Sequence, residues 1–297
     1  MSRDRDRQMS ELRPPIGRLA RKAAILAAAL LAVLLTGAVQ AQEDVNVVLN
    51  GSSLSNQHLI VGTGFHALNL VNRGTYDADF TVYRLRKGAS LENFTAANQE
   101  LADATASGSG AHEALEALEE TAVALGGLNV SDHSSKTMLV DLSRGTYVVA
   151  SIPEDGGEIT YSTFRVMGPN DVSGGPQVAA ETVVDMKDFA FDLPADVAGG
   201  TNLWKVSNTG TQPHVADFYR LLPGRTMEDL IAYLSGEGGQ QPYDKTESIS
   251  MVSAGETVYL PVNFESGNWV ALCFVPDMDN PDLSHVMEGM VAEFRVL

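Results

Sequence analysis

Cys273 is the single cysteine of a 297-residue chain, and His285 and Met290 follow it near the C-terminus. His214 stands earlier, directly after the turn NTGTQP at 208–213. Together they offer one thiolate, two imidazoles and one thioether, the donor set of a mononuclear type 1 copper centre. Thiolate and thioether are soft donors that favour Cu(I), whereas imidazole suits both oxidation states. A fixed geometry of this kind keeps reorganisation small when an electron moves. Singly, each residue is ordinary: a buried cysteine is usually a small hydrophobe, and methionine usually fills a core. The four in this order carry the signal. A thiol nucleophile at Cys273 with His285 as its base is the competing chemistry.

These residues sit in a chain with an export-type beginning. Basic residues at Arg18, Arg21 and Lys22 precede an apolar run from Ala23 to Leu35, and small residues lead to Ala41. That order is a secretory signal peptide, expected at 1–41, with no stable membrane anchor after cleavage. The expected location is secreted or periplasmic. A lone cysteine cannot close an internal disulfide. An exposed free thiol outside the cytosol would oxidise, so Cys273 is a buried free thiol, an intermolecular link or a metal ligand.

Charge limits the partners. The chain has 38 acidic and 20 basic residues, a formal −18. Without residues 1–41 it keeps 35 acidic and 13 basic residues, a formal −22. Such a surface repels phosphate backbones, so nucleic acid is not an expected partner. The composition sets no oligomeric state.

The remaining residues are enough for two domains, and the cluster MGPNDVSGGPQ at 167–177 divides them. The expected division is a first domain at 43–167, a linker at 168–177 and a second domain at 178–297. The halves repeat each other. NRGTYDADFTVYRLRKGASLENF (72–94) aligns without a gap on NTGTQPHVADFYRLLPGRTMEDL (208–230). RGTYVVASIPED (144–155) parallels SGNWVALCFVPD (266–277), and both halves close on Phe-Arg-Val. Opposite His214 and Cys273 the first copy has Ala78 and Ser151, so only the second copy holds the ligand set.

Short runs rich in Val, Phe, Tyr and Trp, separated by turn residues, predict an all-β chain of sandwich domains with short helical insertions. One helix is expected in AHEALEALEETAVALGG (111–127), with Leu115, Leu118, Ala122 and Leu125 on one face and Gly126 and Gly127 as its stop. A shorter one, TMEDLIAYLSG (226–236), would have Thr226 as its cap and the matching place in the second half. His112 is expected to be exposed. The acidic residues Asp277, Asp279 and Asp282 read as a solvated turn.

At the ligand residues the second half resembles the cupredoxin, or blue copper, family. An early histidine follows an Asn-containing turn there, and Cys, His and Met cluster on the loop before the last strand. The resemblance covers about 178–297 and more faintly 43–168. It implies two Greek-key sandwich domains, the second holding one copper through His214, Cys273, His285 and Met290. It also implies one-electron transfer to a redox partner protein of unknown identity. The eleven residues between Cys273 and His285 form a longer loop than most cupredoxins have. Met287 is a second axial candidate. A copper-free binding or adhesion module of the same fold is the alternative. Copper enzymes of this kind need further histidines beside the cysteine or in His-x-His pairs, and the chain has neither.

Overall fold

Alternating burial marks the strands: in GFHALNLVN (64–72) every second residue is buried, as a half-covered sheet requires. In this computed structural model the described residues are 44–56, 60–154, 157–168 and 178–297. The export segment expected at 1–41 and most of the linker at 168–177 lie outside them.

The first half runs β1 (Val45–Asn50), β2 (Ser53–Asn56), β3 (Ile60–Gly62), β4 (Gly64–Asn72), β5 (Ala78–Leu85), α1 (Leu91–Ser107), α2 (Ala111–Thr121), β6 (Ala122–Val130), β7 (Ser135–Leu142), β8 (Gly145–Pro153) and β9 (Thr160–Met167). The second runs β10 (Thr182–Lys187), β11 (Ala190–Asp192), β12 (Asp196–Val197), β13 (Gly200–Asn208), β14 (His214–Leu221), α3 (Met227–Leu234), β15 (Tyr243–Val252), β16 (Thr257–Phe264), β17 (Gly267–Leu272) and β18 (Val291–Val296). The protein is mainly β, in two sheets ordered β11-β10-β13-β16-β7-β4-β1-β2 and β12-β18-β17-β14-β15-β6-β5-β8-β9-β3.

Both sheets pass through both halves. β16 pairs with β7 and β15 with β6, so the two halves share backbone ladders. One apolar cluster runs between the sheets, from Val47 and Phe80 in the first half to Trp204, Phe218 and Phe294 in the second. Residues 42–297 form one compact unit.

The pairing registers establish the duplication residue by residue. Arg84 on β5 faces Tyr147 on β8, and Arg220 on β14 faces Trp269 on β17. Two further turns match in detail. The Asn72 amide donates to the carbonyls of Tyr76 and Val130, and Asn208 donates to those of Gln212 and Val252. In each turn the glycine two residues on donates its N–H to the asparagine oxygen, at 2.8 and 2.9 Å.

The helices correct two expectations. The helix expected at 111–127 ends at Thr121, and Ala122–Val130 is a strand. Leu115, Leu118, Ala122 and Leu125 do fall at helical spacing, but Gly127 lies against the Phe80 carbonyl, where any Cβ would collide. Approach that close belongs to strand pairing. The second correction is α1, a 17-residue helix missing from the expectation. Its buried stripe is Phe94, Ala97, Asn98 and Ala104, too alanine-rich to stand out as apolar. Ser90 caps its start and left-handed Gly108 its end. α1, not α2, is the counterpart of α3. Thr226 caps α3 in a capping box with Asp229, as expected.

Candidate metal centre

The second copy of the Asn turn ends at Pro213, and β14 starts at His214 with its side chain fully buried. Across the sheet β17 stops at Leu272, and Cys273 follows, also fully buried. The eleven-residue loop to His285 is a small hairpin. Pro276 bridges Ser284, Asp277 N–H donates to Leu283 at 3.0 Å, and His285 N–H donates to Val275 at 2.9 Å. A long loop thus returns its two ends to one place. Met290 is tied to both neighbours: its N–H donates to the His285 carbonyl at 2.8 Å, and its carbonyl accepts from Cys273 N–H at 3.3 Å.

His214, Cys273 and His285 converge with their donor atoms within 4.8 Å of one another. The two Nδ1 atoms are 3.0 Å apart, and Cys273 Sγ is 3.4 Å from His285 Nδ1. These separations let all three bond a single ion at about 2.0–2.3 Å. Met290 is fully buried in the same apolar cluster as Cys273, whereas Met287 is 66 % exposed. Of the two axial candidates, only Met290 is inside the protein.

The tautomers follow from the far side of each ring. His214 Nε2 lies 3.2 Å from the Asp188 carboxylate, an acceptor, so it carries the proton. His285 Nε2 lies 3.0 Å from Gln212 Oε1. The Gln212 amide is oriented by its other bonds: Met278 N–H donates to Oε1 at 2.7 Å, and Nε2 donates to Asp277 at 2.8 Å. His285 Nε2 is therefore the donor as well. Both Nδ1 lone pairs then face each other across 3.0 Å, and the Cys273 thiol lies 3.4 Å from that of His285. Two buried acceptors facing each other leave one donor or cation to be shared between them. This fits a soft metal ion, which replaces the thiol proton and satisfies both nitrogens.

Electrostatics keep the trio neutral without metal. Burial, then the neighbouring His285, lowers His214 to about 4, with Asp188 opposing. Burial also lowers His285, against Asp277 and Asp188. Burial pushes the Cys273 thiol up to about 12, although the N–H groups of Val215 and Val275 favour its thiolate. Burial would raise Asp188, but bonds from the Thr211 hydroxyl and N–H and from Gln212 N–H, with His214 beside it, hold it below the usual carboxylate range.

Asp188, Phe189 and Gln212 are site residues that sequence reasoning missed. Asp188 and Phe189 form the turn between β10 and β11, with Phe189 in the left-handed region at φ 64°. A bulky residue there is strained by about 1–3 kcal/mol. The turn aims the Asp188 carboxylate at His214 and sets the Phe189 ring edge-on to His285, centroids 5.3 Å apart. Gly210 leaves room for this, since a Cβ would strike the Asp188 carboxylate and sit 2.9 Å from His214 Nε2.

Two expectations about neighbours are corrected. Asp277 is 4 % exposed and bonded to Gln212, so it is part of the site's buried surround and not of a solvated turn. His112 is largely covered, because α2 packs on this loop and His112 Nε2 lies 3.1 Å from the Met278 carbonyl.

The first half lacks the whole arrangement. By the shared registers its counterparts of Asp188, Gln212, His214 and Cys273 are Gly51, Tyr76, Ala78 and Ser151. Ser151 Oγ is buried without a partner. The copy thus lacks the ligands and also the groups that orient them.

No family model and no curated protein sequence matches the chain. Solved structures that do match include an auracyanin of Roseiflexus castenholzii, at 20 % identity over 39 % of this chain and 94 % of that one, with a TM-score of 0.26. Auracyanin A of Chloroflexus aurantiacus, a "blue" copper protein, matches at 19 % identity over 39 % and 98 %, with a TM-score of 0.25. A multicopper oxidase matches at 12 % identity over 86 % of this chain and 88 % of its own, with a TM-score of 0.23. Likeness this distant assigns neither ion nor activity.

Proposed function

We propose that the protein binds one copper ion through His214, Cys273 and His285, with Met290 as a weak thioether donor, and acts in one-electron transfer. The observation that carries this reading is the pair of buried Nδ1 lone pairs facing each other beside a thiol, their Nε2 protons committed to Asp188 and Gln212. A bound copper would supply a one-electron redox couple with a strong thiolate bond. The chain's own residues do the rest. Asp188 and Gln212 hold each imidazole in one tautomer and one orientation. Burial of all three donor residues keeps water out.

Carrier rather than catalyst is favoured because the donors are closed in and Gln212, Asp277 and Phe189 cover His285. The working place is outside the cytoplasm, by the export segment expected at 1–41, and the partner is a redox protein. Among the described residues no helix is long and apolar enough to cross a membrane. Voltammetry of the copper-loaded protein tests the role. A reversible one-electron wave that is absent from the copper-free protein is expected. A copper-loaded protein with no reversible wave sinks the electron-transfer reading.

A further inference from the structure

One end of the first half carries a charge pattern that the metal centre does not use. Where β5 ends, β8 begins and β9 ends, an open groove of about 1140 Å³ is lined by Arg84, Arg86, Lys87, Arg144 and Arg165. Among the described residues its lining has no acidic residue and no aromatic ring. Those five are drawn from the 13 basic residues after Ala41, against 35 acidic ones. Arg84 is paired with Glu256 and Arg86 with Glu119. Among the described residues Lys87, Arg144 and Arg165 have no ion-pair partner, and all three are exposed.

The duplication supplies a control. The second-half counterparts of Arg86, Lys87 and Arg144 are Leu222, Pro223 and Ser266. The two arginines kept there are both neutralised, Arg220 by Asp244 and Glu265, Arg295 by Asp196. Among the described residues the second half has one unpaired cation at this end, Arg225, in a groove that also holds Asp196 and Glu293. The first half has three, in a protein whose charge would otherwise exclude anions.

We propose that this groove binds a compact multivalent oxyanion of the polyphosphate type. Guanidinium forks match tetrahedral oxyanions in a bidentate way. Size follows from screening: at physiological salt charges beyond about 8 Å are largely screened. A short anion inside the groove meets the local cations, whereas an acidic protein would also lie over the surrounding negative surface. β14 runs antiparallel to β5 through β15 and β6, so the end of β5 and the start of β14 lie at the same end of the sheet, and the groove is set apart from the metal centre sideways, across β15 and β6. The proposal does not depend on copper.

Calorimetric titration of the copper-free protein with inorganic tripolyphosphate tests this. Binding is expected that weakens steadily with salt and falls at least tenfold in Arg144→Ser/Arg165→Ser, both exposed and outside the core. Lys187→Ser/Arg73→Ser, which removes equal charge elsewhere, should leave it within twofold. ATP should bind no tighter than tripolyphosphate, since the described lining has no ring for a base to stack on. No binding by the wild type overturns the proposal, as does an equal loss in the control pair, which would mean net charge alone. Tighter binding of a poly-glutamate peptide than of tripolyphosphate would reassign the groove to an acidic protein and overturn it too.

Discussion

Replacing Gln212 by methionine tests how the second histidine is held. Gln212 Oε1 lies 3.0 Å from His285 Nε2 and accepts from Met278 N–H at 2.7 Å, while its amide nitrogen donates to Asp277 at 2.8 Å. Methionine keeps the unbranched length and removes these bonds together with the longer one to Asp279. Leaving a buried donor unsatisfied costs about 1–3 kcal/mol. The metal-free variant should therefore melt lower, by about 2–4 °C per kcal/mol in a chain of this size. The freed imidazole can also rotate, so its Nδ1 is no longer fixed toward Cys273. Losing such an orienting partner lowers metal affinity by about 10–100-fold. Competition of Cu(I) against a chelator of known affinity, run well below the melting temperature, reads this directly. Tyr76 is the first-half counterpart, and Tyr76→Leu should leave the affinity unchanged. Gln212→Met with wild-type affinity but a lower melting point would refute the orienting role, because Gln212 would then be structural only.

Two further outcomes follow from the same geometry. The His214 imidazole is lowered from its ordinary 6.5 to about 4, so the folded state favours the neutral ring. Its contribution to metal-free stability is complete above about pH 6.5 and is lost as pH falls toward 4, at most about 3 kcal/mol. Urea midpoints at pH 7.5 and 4.5 should differ less in His214→Gln than in the wild type, and equal differences would contradict the lowered value. Installing Ala78→His, Ser151→Cys and Ile159→His in the first half should not create a second site, since Gly51 and Tyr76 stand where Asp188 and Gln212 orient the ligands. Copper per chain by mass spectrometry of the intact protein should stay at one equivalent, and a second tightly held ion would show that the orienting groups are dispensable.

The candidate ligands were legible because they are scarce: one cysteine in the whole chain, with histidine and methionine behind it, cannot be lost in background. The repeat was legible too, and it placed Ala78 and Ser151 as the blanks that the strand registers then matched. Asp188 and Gln212 escaped because acids and amides are common and their role depends on a turn and a loop meeting in space. Comparing the copies could have found them, since Gly51 and Tyr76 occupy their places. α1 escaped for a different reason. Its buried face is mostly small residues, and only the caps Ser90 and Gly108 announced it. The overrun of α2 came from an apolar run whose helical spacing is also what a strand buried on both faces presents. That the halves share two sheets is a matter of which edges pair, and no local pattern encodes it.

Titration of the metal-free protein with Cu(II), followed by visible absorption, measures the convergence of sulfur and imidazole on one ion. An intense sulfur-to-copper band should grow to one equivalent and then stop, and Cys273→Ser should bind without that band. A colourless wild type, or one whose band survives loss of the thiol, would mean that Cys273 and the two histidines do not share a metal.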